Sequence, residues 1–178
     1  MKINKILFAV STLLVSFSSN AIESDYSQPI HVSSLQQHAK MAENKVIFSK
    51  EVLLTQGTIK ITSNTLTVER DTKINSEKMT AEGLPATFYQ TQNDGRPLTA
   101  KANYISYNVA EGKITLSGSA QVKQLDSEIN ASKIVYFLKT KELIVGTGES
   151  NKDRVNTVFL PSQFEKTKQD TTNSNKEE

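Results

Sequence analysis

Apolar and polar residues alternate along most of the chain between Gln28 and Leu160. In segments such as 105–109 (Ile-Ser-Tyr-Asn-Val), every second residue is apolar, which is the spacing of a strand with one buried face. Turn-forming pairs such as Gln56-Gly57 and Glu111-Gly112 separate these segments, and runs with the 3.6-residue spacing of a helix are missing. The pattern predicts an all-β domain of antiparallel strands joined by hairpins.

The same pattern occurs twice. When the sequence is shifted by 68 residues, Val46 falls on Ile114 and Gln56 falls on Gln124. Apolar and turn positions keep the same phase, so each half is predicted to form the same run of hairpins. Repeated hairpins without helices stack into a sandwich, a roll or a solenoid of antiparallel strands. We therefore expect a domain with an internal repeat.

One face of the predicted strands carries most of the large apolar side chains. We take Ile30 and Val32 as inward and step by two residues within each strand, because successive side chains point to opposite faces. This inward set includes Val46, Phe48, Val52, Leu54, Ile59, Ile61, Leu66, Val68, Ile105, Tyr107, Val109, Ile114, Leu116, Val122, Ile129, Ile134 and Tyr136. Two interpretations stay open: the set is an ordinary core, or two sheets held apart enclose a slot for an apolar ligand.

Composition narrows the possible chemistry. The chain has no Cys and two His, so a thiolate nucleophile and a Cys/His zinc site are excluded. Phosphate-binding loops, nucleophile elbows and zinc-protease motifs are absent from the sequence. His31 falls on the outward phase, and Glu69, Asp71, Glu82 and Asp94 are expected as solvated charges at turns or strand ends. We predict no enzyme activity, no catalytic residues, no metal site and no cofactor.

The first 21 residues have the features of a targeting segment. Lys2 and Lys5 precede a short apolar run, and small residues at Ser19 and Ala21 form a cleavage signal. We predict a secretory signal peptide cut after Ala21, which sends the mature chain to an extracytoplasmic space. Without the two lysines, the chain has 19 basic and 19 acidic residues, and a neutral chain is not expected to bind nucleic acid.

The other end is a polar tail. Residues 165–178 contain no apolar side chain and are expected to be disordered. The predicted domain organisation is therefore a signal peptide at 1–21, a β domain at 22–164 and a polar tail at 165–178.

Four longer motifs resemble the OstA-like family of periplasmic lipopolysaccharide-transport proteins, and in particular its LptA-type members. They are Gln28–Val32 (QPIHV), Val52–Ile61 (VLLTQGTIKI), Gly83–Gln90 (GLPATFYQ) and Val158–Gln163 (VFLPSQ). The resemblance covers Ser27 to Gln163. It implies a β-jellyroll, an open and twisted V of antiparallel strands that holds the acyl chains of lipid A between its two sheets and leaves the sugars outside.

The resemblance also implies residues and partners. The family's lining positions fall on Ile30, Val32, Phe88, Tyr107 and Val109. Together with other members of the inward set, the predicted acyl-chain site is Ile30, Val32, Phe48, Leu54, Ile61, Phe88, Tyr107, Val109 and Leu116. The implied partners are lipopolysaccharide, an LptC-type inner-membrane protein, an LptD-type outer-membrane protein and further copies of the chain joined head to tail. The alternative, from a different class, is a β-rich structural or adhesin-like protein whose interior is a plain core and which binds by its strand edges.

Overall fold

The structure is a computed structural model that describes residues 24–72, 76–146 and 154–158, and the predicted signal peptide and polar tail lie outside these ranges. The described residues form ten strands and two short 3₁₀ turns, Asp25–Ser27 and Met41–Glu43. In chain order the strands are β1 (Ile30–Ser33), β2 (Gln36–Lys40), β3 (Lys45–Gln56), β4 (Ile59–Asp71), β5 (Ser76–Thr91), β6 (Pro97–Asn108), β7 (Lys113–Gln124), β8 (Ser127–Phe137), β9 (Glu142–Gly146) and β10 (Asn156–Val158). The prediction of an all-β fold is confirmed.

All ten strands belong to one antiparallel sheet. Strands β3 to β8 form a meander in which each strand pairs with the next. At one end of the meander β1 and β2 both pair with β3, and at the other end β9 and β10 both pair with β8. The sheet is open, because the order of described strands runs from one end to the other without closing.

The internal repeat is present in the structure as well as in the sequence. A shift of 68 residues places β3 on β7, residue for residue. The same shift places β1 and β2 on the two halves of β6, and it places residues 144–146 of β9 and all of β10 near the two ends of β5. The strands at the two ends of the sheet are therefore interrupted versions of the long strands in its middle.

Five consecutive strand pairs lose their register at the same level of the sheet. The shifts fall between Ser49 and Val52, Thr62 and Thr65, Glu82 and Ala86, Lys101 and Tyr104, and Ser117 and Ala120. We call this row the bulge line. A bulge bends and twists its strand, so a row of bulges across neighbouring strands bends the whole sheet into two leaves.

Each leaf has eight strand segments. Leaf A contains 52–56, 59–62, 86–91, 97–102, 120–124 and 127–131, with β1 and β10 at its ends. Leaf B contains 45–49, 65–71, 76–82, 104–108, 113–117 and 133–137, with β2 and β9 at its ends. The inner faces of the two leaves contribute to one apolar core. In this core the rings of Phe88 from leaf A and Tyr136 from leaf B pack edge to face, with their centroids 6.3 Å apart.

Several local predictions were wrong in ways that the bulge line explains. Ser63-Asn64 has the composition of a turn, but it lies inside β4 where the register shifts. Glu82, expected at a turn or strand end, lies inside β5 at the same line. Bulges and turns use similar residues, so composition alone does not separate them.

Candidate functional site

The structure brings the nine predicted lining residues together in the apolar core between the leaves. Five of them, namely Leu54, Ile61, Phe88, Tyr107 and Leu116, are almost completely buried in the core. The other four are partly buried and pack against that core: Ile30, Val32, Phe48 and Val109. Both leaves contribute to this set, so the residues form one continuous interior. Their contact with acyl chains stays a prediction.

The apolar interior is continuous across the strands because the inward residues stand opposite one another. In leaf A, a single cross-strand row joins Val32, Leu54, Ile61, Phe88, Ala100, Val122 and Ile129. In leaf B, a parallel row joins Phe48, Leu66, Ala81, Ile105, Leu116, Ile134 and Val145. Directly opposed side chains on one face are in contact distance. The two rows therefore form an apolar band that runs between the two ends of the sheet.

Polar side chains close this interior at the tips of the leaves, on the side away from the bulge line. The Tyr107 hydroxyl of leaf B donates to Gln56 Oε1 of leaf A at 2.7 Å, and Tyr136 Oη donates to Gln90 Oε1 at 3.1 Å. Burial raises the pKa of Tyr107 to about 12 and also raises the pKa of Tyr136. Both phenols therefore remain protonated donors at neutral pH. We call this line of contacts the seam.

A short N-terminal segment, residues 24–28, lies over the seam. Asp25 accepts hydrogen bonds from the Thr58 backbone amide at 2.7 Å, the Thr58 hydroxyl at 2.8 Å and the Gln90 side-chain amide at 2.7 Å. Gln56 Nε2 donates to the carbonyl oxygens of Tyr26 at 3.2 Å and Gln28 at 2.9 Å. We call residues 24–28 the strap. Beside it is a pocket of about 350 Å³ that Asp25, Gln90 and other polar residues line.

Sequence reasoning missed the polar residues of the seam. Gln56 and Gln90 are buried, and each is in phase with an inward apolar neighbour, Leu54 and Phe88 respectively. A glutamine on the inward phase of a strand is a signal for a buried polar contact, because a buried amide needs partners. Asp25 carried no such signal, because its contacts are with residues more than thirty positions away.

The described residues offer little for metal or redox chemistry. Across residues 24–72, 76–146 and 154–158, no group of three or more His, Cys, Asp or Glu side chains is arranged to hold a metal ion. His31 and His38 are exposed on strands of different leaves. Within the same ranges, no helix has the length and apolar character needed to cross a membrane.

Comparisons with known proteins agree with this architecture. The profile of the family described as "LptA/(LptD N-terminal domain) LPS transport protein" matches residues 31–142. The chain is 39% identical to the lipopolysaccharide export system protein LptA of Haemophilus influenzae over 168 residues, covering 93% of this chain and 96% of that protein. It is 37% identical to LptA of Escherichia coli K12, covering 90% of this chain and 86% of the relative.

A solved structure is similar as well. The crystal structure of LptH, the LptA-homologous periplasmic component of the lipopolysaccharide transport device of Pseudomonas aeruginosa, superposes with a TM-score of 0.71 and 28% sequence identity. It covers 78% of this chain and 100% of the LptH chain. The family profile, the identities and the open bent sheet lead to the same conclusion: the chain belongs to the LptA/LptD N-terminal family of lipopolysaccharide transport proteins.

Proposed function

We propose that this protein carries lipopolysaccharide through the periplasm by holding the acyl chains of lipid A between the two leaves. The observation that carries the proposal is the apolar band, which extends from β1 to β9 without a charged side chain in either cross-strand row. Each methylene that leaves water on entering such an interior contributes about 0.8 kcal/mol. The proposed lining is Ile30, Val32, Phe48, Leu54, Ile61, Phe88, Tyr107, Val109 and Leu116.

The family is one of transport proteins, and the proposed role needs no reaction. Binding sites that are equivalent along the band let a lipid move from strand to strand without a large barrier. The sequence has no nucleotide-binding motif, so the energy for directed movement must come from a partner. A carrier that relies on a partner for energy is consistent with the names of the relatives, each of which is a component of an export system.

The open ends of the sheet supply the proposed contacts with protein partners. Strands β1 and β2 leave one edge without a further strand, and β9 and β10 leave the other, among the residues that the structure describes. An unpaired edge offers free N–H and C=O groups to a strand of another chain. We propose head-to-tail addition of further copies, with an LptC-type protein at one end of the assembly and an LptD-type protein at the other.

The location follows from the same proposal. LptH is a periplasmic component, and the features of residues 1–21 predict export with cleavage after Ala21. We therefore propose a periplasmic mature protein composed of the β domain at 22–164 and the polar tail at 165–178. Amino-terminal sequencing of the protein purified from periplasm tests the cleavage site directly.

Photo-crosslinking to lipopolysaccharide tests the proposed slot. A photoreactive amino acid replaces Phe88, which faces the interior, or Thr87, which is exposed one position earlier on the same strand. We expect a lipopolysaccharide adduct at position 88 and little adduct at position 87. The pair Val32 and His31 repeats the comparison on β1. Equal adduct yields at inward and outward positions would contradict the slot.

A further inference from the structure

The two leaves are joined along both of their long sides. On one side the strands continue through the bulge line, and on the other side the seam connects Gln56 with Tyr107 and Gln90 with Tyr136. A lipid whose acyl chains lie inside and whose sugars lie outside needs an opening between the leaves. The bulge line is covalently continuous, so the seam is the side that can open.

The strap is bound to the same two glutamines that hold the seam. The strap presents acceptors to these glutamines: the Asp25 carboxylate to Gln90, and the carbonyl oxygens of Tyr26 and Gln28 to Gln56. Each glutamine must therefore turn its NH₂ group toward the strap, which leaves its oxygen for the tyrosine hydroxyl of leaf B. Each amide links the strap to the opposite leaf, so the strap orients the groups that close the seam.

Direct contact with leaf B completes the closure. The Lys139 ammonium of the turn after β8 lies 5.6 Å from the centre of the Tyr26 ring, within the range of a cation–π interaction. The strap thus touches both leaves, with Asp25 on Thr58 of leaf A and Tyr26 on Lys139 of leaf B. It crosses the seam from one side to the other.

The strap is attached by interactions that can be broken without exposing a large apolar side chain. Its 3₁₀ turn contains no buried residue, so hydrogen bonds and one ring contact attach it, without the burial of a large apolar side chain. Hydrogen bonds exchange with water at a small net cost, whereas buried apolar area does not. Pro29 alone connects the strap to β1, so the strap can swing away while the sheet stays paired.

We propose that the strap is a displaceable closure of the seam, and that lipopolysaccharide enters the space between the leaves only after the strap has been released. This inference rests on the proposed function, since it concerns how the ligand reaches the slot. It gives the N-terminal segment a gating role that the fold itself does not require.

Weakening the strap is the first test. In Asp25→Asn the carboxylate becomes a neutral amide. The amide oxygen can still accept from the Thr58 backbone, but the amide NH₂ faces the Gln90 NH₂, so the charge-assisted bond from Gln90 is lost. We expect lipopolysaccharide to associate about tenfold faster, because the loss of one strong hydrogen bond shifts the closed–open equilibrium by about that factor. Asp94→Asn is the matched control, since Asp94 bonds to Arg96 within its own turn. An unchanged rate in a folded Asp25→Asn protein would overturn the proposal.

Locking the strap is the second test, and it does not depend on the stability of the first variant. The chain has no cysteine, so Tyr26→Cys with Lys139→Cys creates a unique pair across the seam for a reducible bis-maleimide. Thr62→Cys with Thr87→Cys is the control pair, because these residues are neighbours on the outer face of leaf A.

We expect crosslinking at 26 and 139 to slow lipopolysaccharide binding about tenfold or more, with recovery on reduction, and crosslinking of the control pair to leave the rate unchanged. Equal rates before and after crosslinking at 26 and 139 would overturn the strap proposal while the proposed function stands. Failure of the uncrosslinked protein to bind lipopolysaccharide would overturn the proposed function and this inference together.

Discussion

The turn after β3 and the turn after β7 occupy equivalent places in the two repeats, yet their surroundings differ. In the first repeat Gln56 is 2% exposed and precedes Gly57-Thr58, which the strap covers. In the second repeat Gln124 is exposed and precedes Leu125-Asp126, where Leu125 is 54% exposed. The repeat fixes where strands and turns lie, because apolar phase and turn positions are shared. The seam arises from what the repeats do not share.

We expect the largest difference in the free energy of unfolding at a pair of equivalent core residues of the two repeats. Ile61 and Ile129 are equivalent residues, but Ile61 is 2% exposed and Ile129 is only partly buried beside β10. Ile61→Ala should lower the free energy of unfolding by about 3–4 kcal/mol, through lost transfer energy and a cavity, and Ile129→Ala by about 1–2 kcal/mol. Urea denaturation followed by circular dichroism measures both. Equal losses would mean that the two repeats are packed alike.

The next largest difference is expected between the glutamines at the ends of β3 and β7. Gln56→Ala removes the partner of the buried Tyr107 hydroxyl and of two strap carbonyls, so we expect a loss of about 2–3 kcal/mol in the free energy of unfolding. Gln124→Ala, at the equivalent exposed position, should cost less than about 0.5 kcal/mol. Urea denaturation followed by circular dichroism measures both changes. A cost for Gln124→Ala as large as that for Gln56→Ala would remove the distinction between the repeats.

Removing the glycine of the turn after β3 and introducing one in the turn after β7 should change stability in opposite directions. Gly57 has φ +57°, and a Cβ there would press on Asp25, so Gly57→Ala should destabilise the protein by about 1–3 kcal/mol. Leu125 has φ +53° and an exposed side chain, so Leu125→Gly should stabilise it by about 0.5–1 kcal/mol. Thermal unfolding reports the sign of each change. If Leu125→Gly also destabilises the protein, the positive φ of the turn after β7 does not disfavour leucine.

The smallest effect that we expect is a loss of stability at alkaline pH, caused by ionisation of Tyr107 in the seam. Burial raises the pKa of Tyr107 to about 12 in the folded protein, whereas the pKa of this tyrosine in the unfolded chain is near the ordinary value of about 10. The stability from this group is fully present below about pH 10 and is lost as the pH rises toward 12. Between about pH 8 and pH 11, the urea midpoint of the wild-type protein should fall more than that of Tyr107→Phe. Parallel declines would assign the alkaline effect to other groups.

Much of the fold was predictable from the sequence, and the exceptions have common causes. Alternation identified the inward residues of leaf A and leaf B, and the inward phase of Leu54 and Tyr107 is reproduced by their burial. Phe88 was found by resemblance, because the Gly83–Gln90 segment crosses the bulge line and loses a simple alternating phase. The long strands were not predicted, since a bulge at Ser63-Asn64 and a turn have the same composition.

The candidate site was predictable in its apolar part and not in its polar part. The inward residues proposed as lining repeat every second position, so local spacing reveals their inward phase. The contact of Asp25 with Thr58 and Gln90 joins residues that are 33 and 65 positions apart, and it depends on how the two leaves meet. Such a contact leaves no periodic signal. The segment 155–160 before Pro161 also predicts a last strand. The structure has β10 at Asn156–Val158, and residues 159 and 160 lie outside the described ranges.

The interruption of the outer strands affects how an assembly of these chains would hold together. Each end of the sheet presents two short strands, β1 with β2 and β9 with β10, and none of the four is longer than five residues within the part of the chain that the structure describes. One strand this short offers few backbone hydrogen bonds to a second copy, so attachment through it alone would be brief. Attachment through both strands is bivalent, and the second contact forms at a high effective concentration. Two weak joints on separate leaves would fix the angle between neighbouring copies and still let the assembly come apart one joint at a time.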